Sequence, residues 1–227
     1  MVSDMMIGWA EYIAAFILFF VAHNLPTRPA VKTALLGRFG KRNFGIGYGL
    51  LSLIALYWLL MAAGRAPVVE LWHWAPWQNL VPLIVMAPVC MILCFGIARP
   101  NPFSFGGRHN DRFDPTRAGI IRLTRHPVLA ALALWSAAHT VPNGQLAHAL
   151  LFGIFTLFAL LGMRLIDRRN KREDPNWQAQ LTAMQNAPLL HIPSSWADLT
   201  QRLMLTLGLY MGLLHSHGPV LGAYPIG

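Results

Sequence analysis

IGYGLLSLIALYWLLMAA, residues 46–63, is eighteen residues long and carries no charge. As a helix rising 1.5 Å per residue it is about 27 Å long. That length suits the roughly 30 Å of hydrocarbon in a bilayer, which about 20 mainly apolar residues cross. The chain around it has the same character. It is 55% hydrophobic and only 12% charged, where a soluble domain carries about a quarter charged residues. Its 227 residues would suffice for one soluble domain, but their charges are too few to cover one.

Working outward, comparable runs appear on both sides. Met6 to Ala22 is interrupted only by Glu11, and Leu80 to Ala98 contains Pro82 and Pro88 as expected kinks. Val128 to Val141 is short. Gln145 to Leu165 carries Arg164 near its end, where its side chain can snorkel to the headgroups. Leu203 to Leu214 continues toward Tyr224 past Gly218 and Pro219. The expectation is an all-α polytopic transmembrane helical bundle of about six spans, forming one membrane domain over residues 1–227. The first run follows Asp4 and precedes no small-residue cleavage site, so it reads as a span rather than a cleaved leader.

Charge placement gives an orientation. Arg28, Lys32, Arg38, Lys41 and Arg42 lie between the first two runs. Six arginines from Arg99 to Arg125 lie between the third and fourth. Arg168, Arg169, Lys171 and Arg172 follow the fifth, and Arg202 opens the sixth. With Arg164 included, 17 of the 18 basic residues fall on alternating, same-sided connections, and Arg65 is the exception. The positive-inside rule then places both termini outside, in the periplasm of a bacterial inner-membrane protein. The net charge of +9 belongs to these connections. It does not form the basic face or helix between polar segments that a nucleic-acid binder would show.

Cys90 and Cys94 lie four apart inside an apolar run. They share a helix face and read as small core residues. The longest polar stretch, Asp167 to Gln201, is broken by Pro175, Pro188 and Pro193. Trp177 and Trp196 suggest that it lies on the membrane surface, as Trp72, Trp74 and Trp77 suggest for the segment before the third run.

Nine histidines remain, and an ionisable residue within a span is a functional hypothesis by default. His23 ends the first run. His126 precedes Pro127, which suits the first position of a helix. His139 lies in the fourth run, four residues after Trp135 and on the same face. His148 opens the fifth run, and His215 and His217 lie toward the outer end of the sixth. Neutral imidazole is a good iron ligand, whereas zinc-hydrolase spacing is missing. Arg125 offers a charge either to anionic lipid headgroups or to an acidic cofactor group.

These residues resemble the NnrU family of bacterial membrane proteins. The resemblance runs from about Tyr12 to Arg169. It is carried by His-Asn-Leu-Pro-Thr-Arg-Pro at 23–29, Asn101-Pro102, Gly119-Ile120 and Thr-Arg-His-Pro at 124–127. Trp135, His139, Asn143-Gly144 and Leu-Phe-Gly at 151–153 complete it. The family is linked by name and genetic context to nitric oxide and nitrite respiration. It is also similar to the zeta-carotene isomerases, which carry haem b between two axial histidines and turn a 15-cis double bond to trans. The resemblance implies haem b, with His23 and His139 as iron ligands and His126 as a third matching position. Arg125 and Trp135 would then lie beside the cofactor.

Helical depth leaves other pairings open. His139 is about 20 Å beyond His126 along a helix, which sets His23 level with His126 and His139 level with His215. Arg-His-Pro before an apolar span also resembles the membrane isoprenylcysteine methyltransferases. The charge run from Arg164 to Glu173 lacks that group's Glu and aromatic signature, so methyl transfer is not expected. The expected activity is isomerase-like or concerned with nitrogen-oxide metabolism, on a lipophilic or redox substrate. The alternative is a non-enzymatic membrane factor that assists assembly of a respiratory membrane complex.

Overall fold

The computed structural model describes residues 2–188 and 195–226, so Pro193 lies outside the described residues. The helices are α1 (Val2–Asn24), α2 (Pro29–Arg65), α3 (Leu80–Gly96), α4 (Ile120–Leu123), α5 (Pro127–Thr140), α6 (Leu146–Glu173), α7 (Trp177–Asn186) and α8 (Trp196–Leu221). Among the described residues, β-pairing is limited to one antiparallel bridge between Glu70 and Gln145. The all-α expectation holds. The chain divides into two compact units: residues 1–72 with 144–151, and residues 73–143 with 152–227.

In the first unit α1 packs on α2. Tyr12, Ala15, Phe19 and Ala22 are buried on one stripe of α1, and Ala55, Leu59, Ala62 and Ala66 on and just past α2. Both stripes follow the three-and-four spacing of a helix face. The alanines matter because lipid tails are as apolar as leucine, so small residues are what let two backbones approach. The pair is antiparallel. Glu11 bonds Arg65 and accepts from the Trp58 indole at one end, while His23 meets Tyr48 at the other. The Tyr12 hydroxyl donates to the Ala147 carbonyl at 2.5 Å, joining the first turn of α6 to this unit.

α2 spans 37 residues, about 56 Å and far more than a bilayer requires. Gly40 divides it, with φ 74° and ψ 164°, a region open essentially to glycine alone. The basic connection expected between the first two spans is therefore a helix of its own over 29–39. Pro29 at its first position and the following Ala and Leu residues favour that outcome.

In the second unit α3 packs against both α5 and α8. Pro127 lies so close to Gly96 that a Cβ there would meet the proline ring. Leu129 and Ala133 of α5 form a core with Ala159 of α6. Beside it the Ser136 and Thr156 hydroxyls bond at 2.8 Å. A second core joins Phe103 and Ile121 to Trp177, Leu181 and Met184.

Trp177 thus departs from the surface position expected of it. The residue is 6% exposed because α7 folds onto the connection between α3 and α4. Trp196 and the Trp74 and Trp77 rings are exposed as expected. Cys90 is buried and Cys94 partly so, both as free thiols.

Among the described residues, four helical stretches are long and apolar enough to cross a membrane: Met5–Thr27, Pro29–Arg65, Pro76–Gly96 and Leu146–Glu173. α5 is shorter, at 14 residues or about 21 Å. α8 has 26 residues but carries Asp198, Arg202, His215 and His217 among its apolar ones.

Candidate functional site

Two histidine arrangements stand in the second unit. The first forms where α5 begins. Pro127 starts the helix and leaves His126 at its N-cap position, with the ring 4% exposed. Its Nε2 lies 2.9 Å from Asp167 Oδ1. Arg125 grips the same carboxylate with Nε at 3.1 Å and a terminal nitrogen at 2.6 Å. The strand of backbone bearing these residues is held by Asn101, which is fully buried. The Asn101 amide donates to the Arg125 carbonyl at 3.0 Å, and its oxygen accepts from the Phe103 N–H at 3.0 Å. Asn170 in turn donates to the Phe103 carbonyl at 2.8 Å.

Burial pushes the His126 imidazole below its ordinary pKa, outweighing the neighbouring Asp167 carboxylate, which raises it. Below the unfolded value of about 6.5 the unfolded chain takes up a proton that the folded chain does not. Stability present above that pH is lost as the pH falls. The thermal midpoint of the detergent-solubilised protein should therefore drop between about pH 7 and about pH 5.5, and His126→Gln should flatten that slope. An unchanged slope in the variant would assign the acid sensitivity to another group.

The second arrangement is a chamber of about 240 Å³ that is open on one side. Leu83, Met86, Leu213 and Leu214 contribute apolar wall, and His139, Asn143, Tyr210 and His217 supply polar groups. Tyr210 is fixed by donating to the Leu83 carbonyl at 3.0 Å. Gly222, at φ 69°, ends α8 in the left-handed conformation that glycine favours. The tail beyond it turns back, so that Tyr224 lies over Gly218 and the Pro225 carbonyl accepts from Asn79 at 3.4 Å.

His139 and His217 are held in the same way. The His139 Nδ1 lies 2.7 Å from the Trp135 carbonyl and the His217 Nδ1 2.6 Å from the Leu213 carbonyl. A carbonyl only accepts, so each Nδ1 carries a proton, which in a neutral ring leaves Nε2 as the atom with the lone pair. This is the arrangement that orients metal-binding histidines. The two ring centres are 6.2 Å apart and their planes differ by 18°. Trp135 and Phe152 flank His139 at 5.3 and 5.6 Å.

The structure thus joins Arg125 to His126, and Trp135 to His139. His23 belongs to the other unit, where Phe19 stacks on it at 5.7 Å. The Tyr48 hydroxyl lies 3.3 Å from its Nδ1 and donates to its carbonyl at 3.1 Å. Among the described residues no group of three or more His, Cys, Asp or Glu side chains is placed to hold a metal ion.

Two participants were missed in the sequence. Asp167 read only as the start of a polar stretch. His215 was paired with His139 by depth, whereas His217 is the neighbour. Tyr210, Leu213, Leu214 and His217 all line the chamber and lie at positions i, i+3, i+4 and i+7 of one helix face. That periodicity was the signal available.

No curated protein and no solved structure matches the chain. One family model does, and it extends beyond the segment that carried the sequence resemblance to include the chamber residues of α8. It is described as NnrU protein and matches residues 11–225, so the chain belongs to the NnrU protein family.

Proposed function

We propose that this protein is a haem b protein of the bacterial inner membrane, with His139 as an iron ligand, acting on a lipophilic or redox substrate. The observation that carries this reading is the His139 ring, pinned through Nδ1 to the Trp135 carbonyl on the wall of a largely apolar chamber. The donor chemistry fits iron, since a neutral imidazole with a free Nε2 is the usual protein ligand of haem. The enclosed volume is below the roughly 300–1,000 Å³ of common ligand pockets. A porphyrin would therefore need the open side as well. When bound, haem iron would supply the redox or isomerisation chemistry, and the chain's own part is to ligate the metal and bury it. An isomerase-like activity and a role in nitrogen-oxide metabolism are both consistent with that part.

The enclosed volume favours a second reading, in which the chamber takes a small lipophilic molecule and no haem. Absorption spectra of the detergent-purified protein, expressed with ample haem, separate the two. The expected result is a Soret band that shifts on dithionite reduction and is lost in His139→Ala. A colourless wild-type protein overturns the haem reading. It would leave the small-molecule chamber, or a non-enzymatic assembly factor, in its place.

A further inference from the structure

α3 and α8 lie side by side and antiparallel. Arg202 donates to the Cys94 carbonyl at 2.6 Å near one end, and Tyr210 to the Leu83 carbonyl at 3.0 Å toward the other. α3 belongs to a stretch long and apolar enough to cross a membrane, so the adjoining part of α8 stands at the same depth. A shallow groove runs along it, lined by Cys94, Gln201, Met204, Leu205, Gly208 and Leu209. Gly208 keeps the groove open, since nothing lies within 4 Å of a carbon added there. From Gln201 to Leu209 the helix rises about 12 Å, most of the roughly 15 Å of hydrocarbon in one leaflet.

Two arginines share one carboxylate at the head of this groove. Asp198 accepts from Arg202 Nε at 3.0 and 3.2 Å and from a terminal nitrogen of Arg99, so two cations answer to a single anion. The Arg99 Nε is buried with no hydrogen-bond partner among the described residues. Burial and the Arg202 charge hold the Arg99 pKa below the ordinary arginine value, outweighing Asp198, which raises it. Trp196 is exposed at the same end of α8, and tryptophans gather at headgroup depth.

We propose that this groove binds one anionic phospholipid, with its phosphate beside Arg99 and Arg202 and an acyl chain over Gly208. The arginines and the apolar floor address two parts of one molecule. A soluble phosphate would use only the arginines, and a neutral lipid only the groove.

Native mass spectrometry of the detergent-purified protein tests this. Titration with phosphatidylglycerol, or with phosphatidylcholine of the same acyl chains, reads the affinity of the first bound lipid. The wild type should prefer phosphatidylglycerol. Arg99→Gln should lose about fivefold in that affinity, the factor expected of one basic residue among lipid headgroups, with phosphatidylcholine little changed. Gly208→Leu alters no charge but fills the groove, and should weaken phosphatidylglycerol binding comparably. Gly47→Leu on α2, also an open position, should not. If Arg99→Gln fails to fold, Gly208→Leu decides: loss of affinity supports the site, and wild-type affinity overturns it. A wild type without headgroup preference also overturns it. So does an equal loss in Arg112→Gln, whose side chain is 75% exposed and away from the groove lining. Displacement of the lipid by glycerol phosphate, which has no acyl chain, would assign the arginines to a soluble anion and overturn the lipid reading.

Discussion

Replacing Asp167 by alanine is expected to destabilise the detergent-solubilised protein by about 3 kcal/mol, the lower end of the cost of breaking a buried ion pair. One carboxylate answers three donors: two nitrogens of Arg125 and Nε2 of His126. The Arg125 side chain is 33% exposed, which screens part of its charge and sets the estimate low. His126 has no such relief. Its Nδ1 is already buried without a partner, so losing Asp167 leaves both ring nitrogens unanswered. Asp167→Asn, which keeps an acceptor but not the charge, should fall between wild type and Asp167→Ala. A double-mutant cycle with Arg125→Ala should show strong non-additivity, because the two residues are in direct contact. Additive losses, or a drop below about 1 kcal/mol, would show that the triad is not a unit.

Gly144→Ala should cost about as much, roughly 3 kcal/mol at the upper end of overpacking penalties. A Cβ at that position would run into the Trp72 carbonyl oxygen, and it would lie 2.9 Å from Cδ1 of that indole. The crowded neighbour is backbone and cannot rotate away. The Gly144 carbonyl also accepts from the Leu71 N–H at 2.8 Å, so a shift that relieves the clash breaks that bond. Gly64→Ala is the matched control. Nothing lies within 4 Å of its added carbon, and within a helix alanine is favoured over glycine by about 0.8–1.0 kcal/mol. Thermal unfolding of the two variants should move in opposite directions. A Gly144→Ala protein as stable as wild type would mean that the 70–72 segment is free to move away from 144.

Several elements were legible because their cause is local. α5 was expected over 128–141 and runs from Pro127 to Thr140. A proline at the first position and an uninterrupted apolar run require nothing from the rest of the chain. The third run ends two residues early, at Gly96, and the fifth continues to Glu173. The fifth goes on because Arg, Lys and Glu are sound helix formers, although no apolar pattern marks them. Hydropathy reads the solvent a segment prefers, not where its hydrogen-bond ladder stops. The same distinction explains the helix over 29–39, which charge alone marked as a connection.

The candidate site was legible in part. His139 and Trp135 were linked by their spacing of four, which places both on one face before any fold is known. His126 at the head of a helix followed from Pro127. The partner of His126 did not. Asp167 is 41 positions away, in a segment whose arginines made it look like solvated charge.

By itself the sequence determined that this protein is built from apolar helices and that its cations gather between or at the ends of the apolar runs. It also determined that His23, His126, His139, His148, His215 and His217 lie at the ends or on the faces of those helices. Those properties follow from lipid solvation and helix periodicity, which act along the chain. Tertiary structure alone decided that Arg125 and His126 close on Asp167, that Trp177 enters a core, and that His217 rather than His215 stands beside His139. The physical reason is angular. Two positions two apart on a helix differ by about 200° in direction, so a depth argument treats them as equal while packing presents only one of them to the chamber.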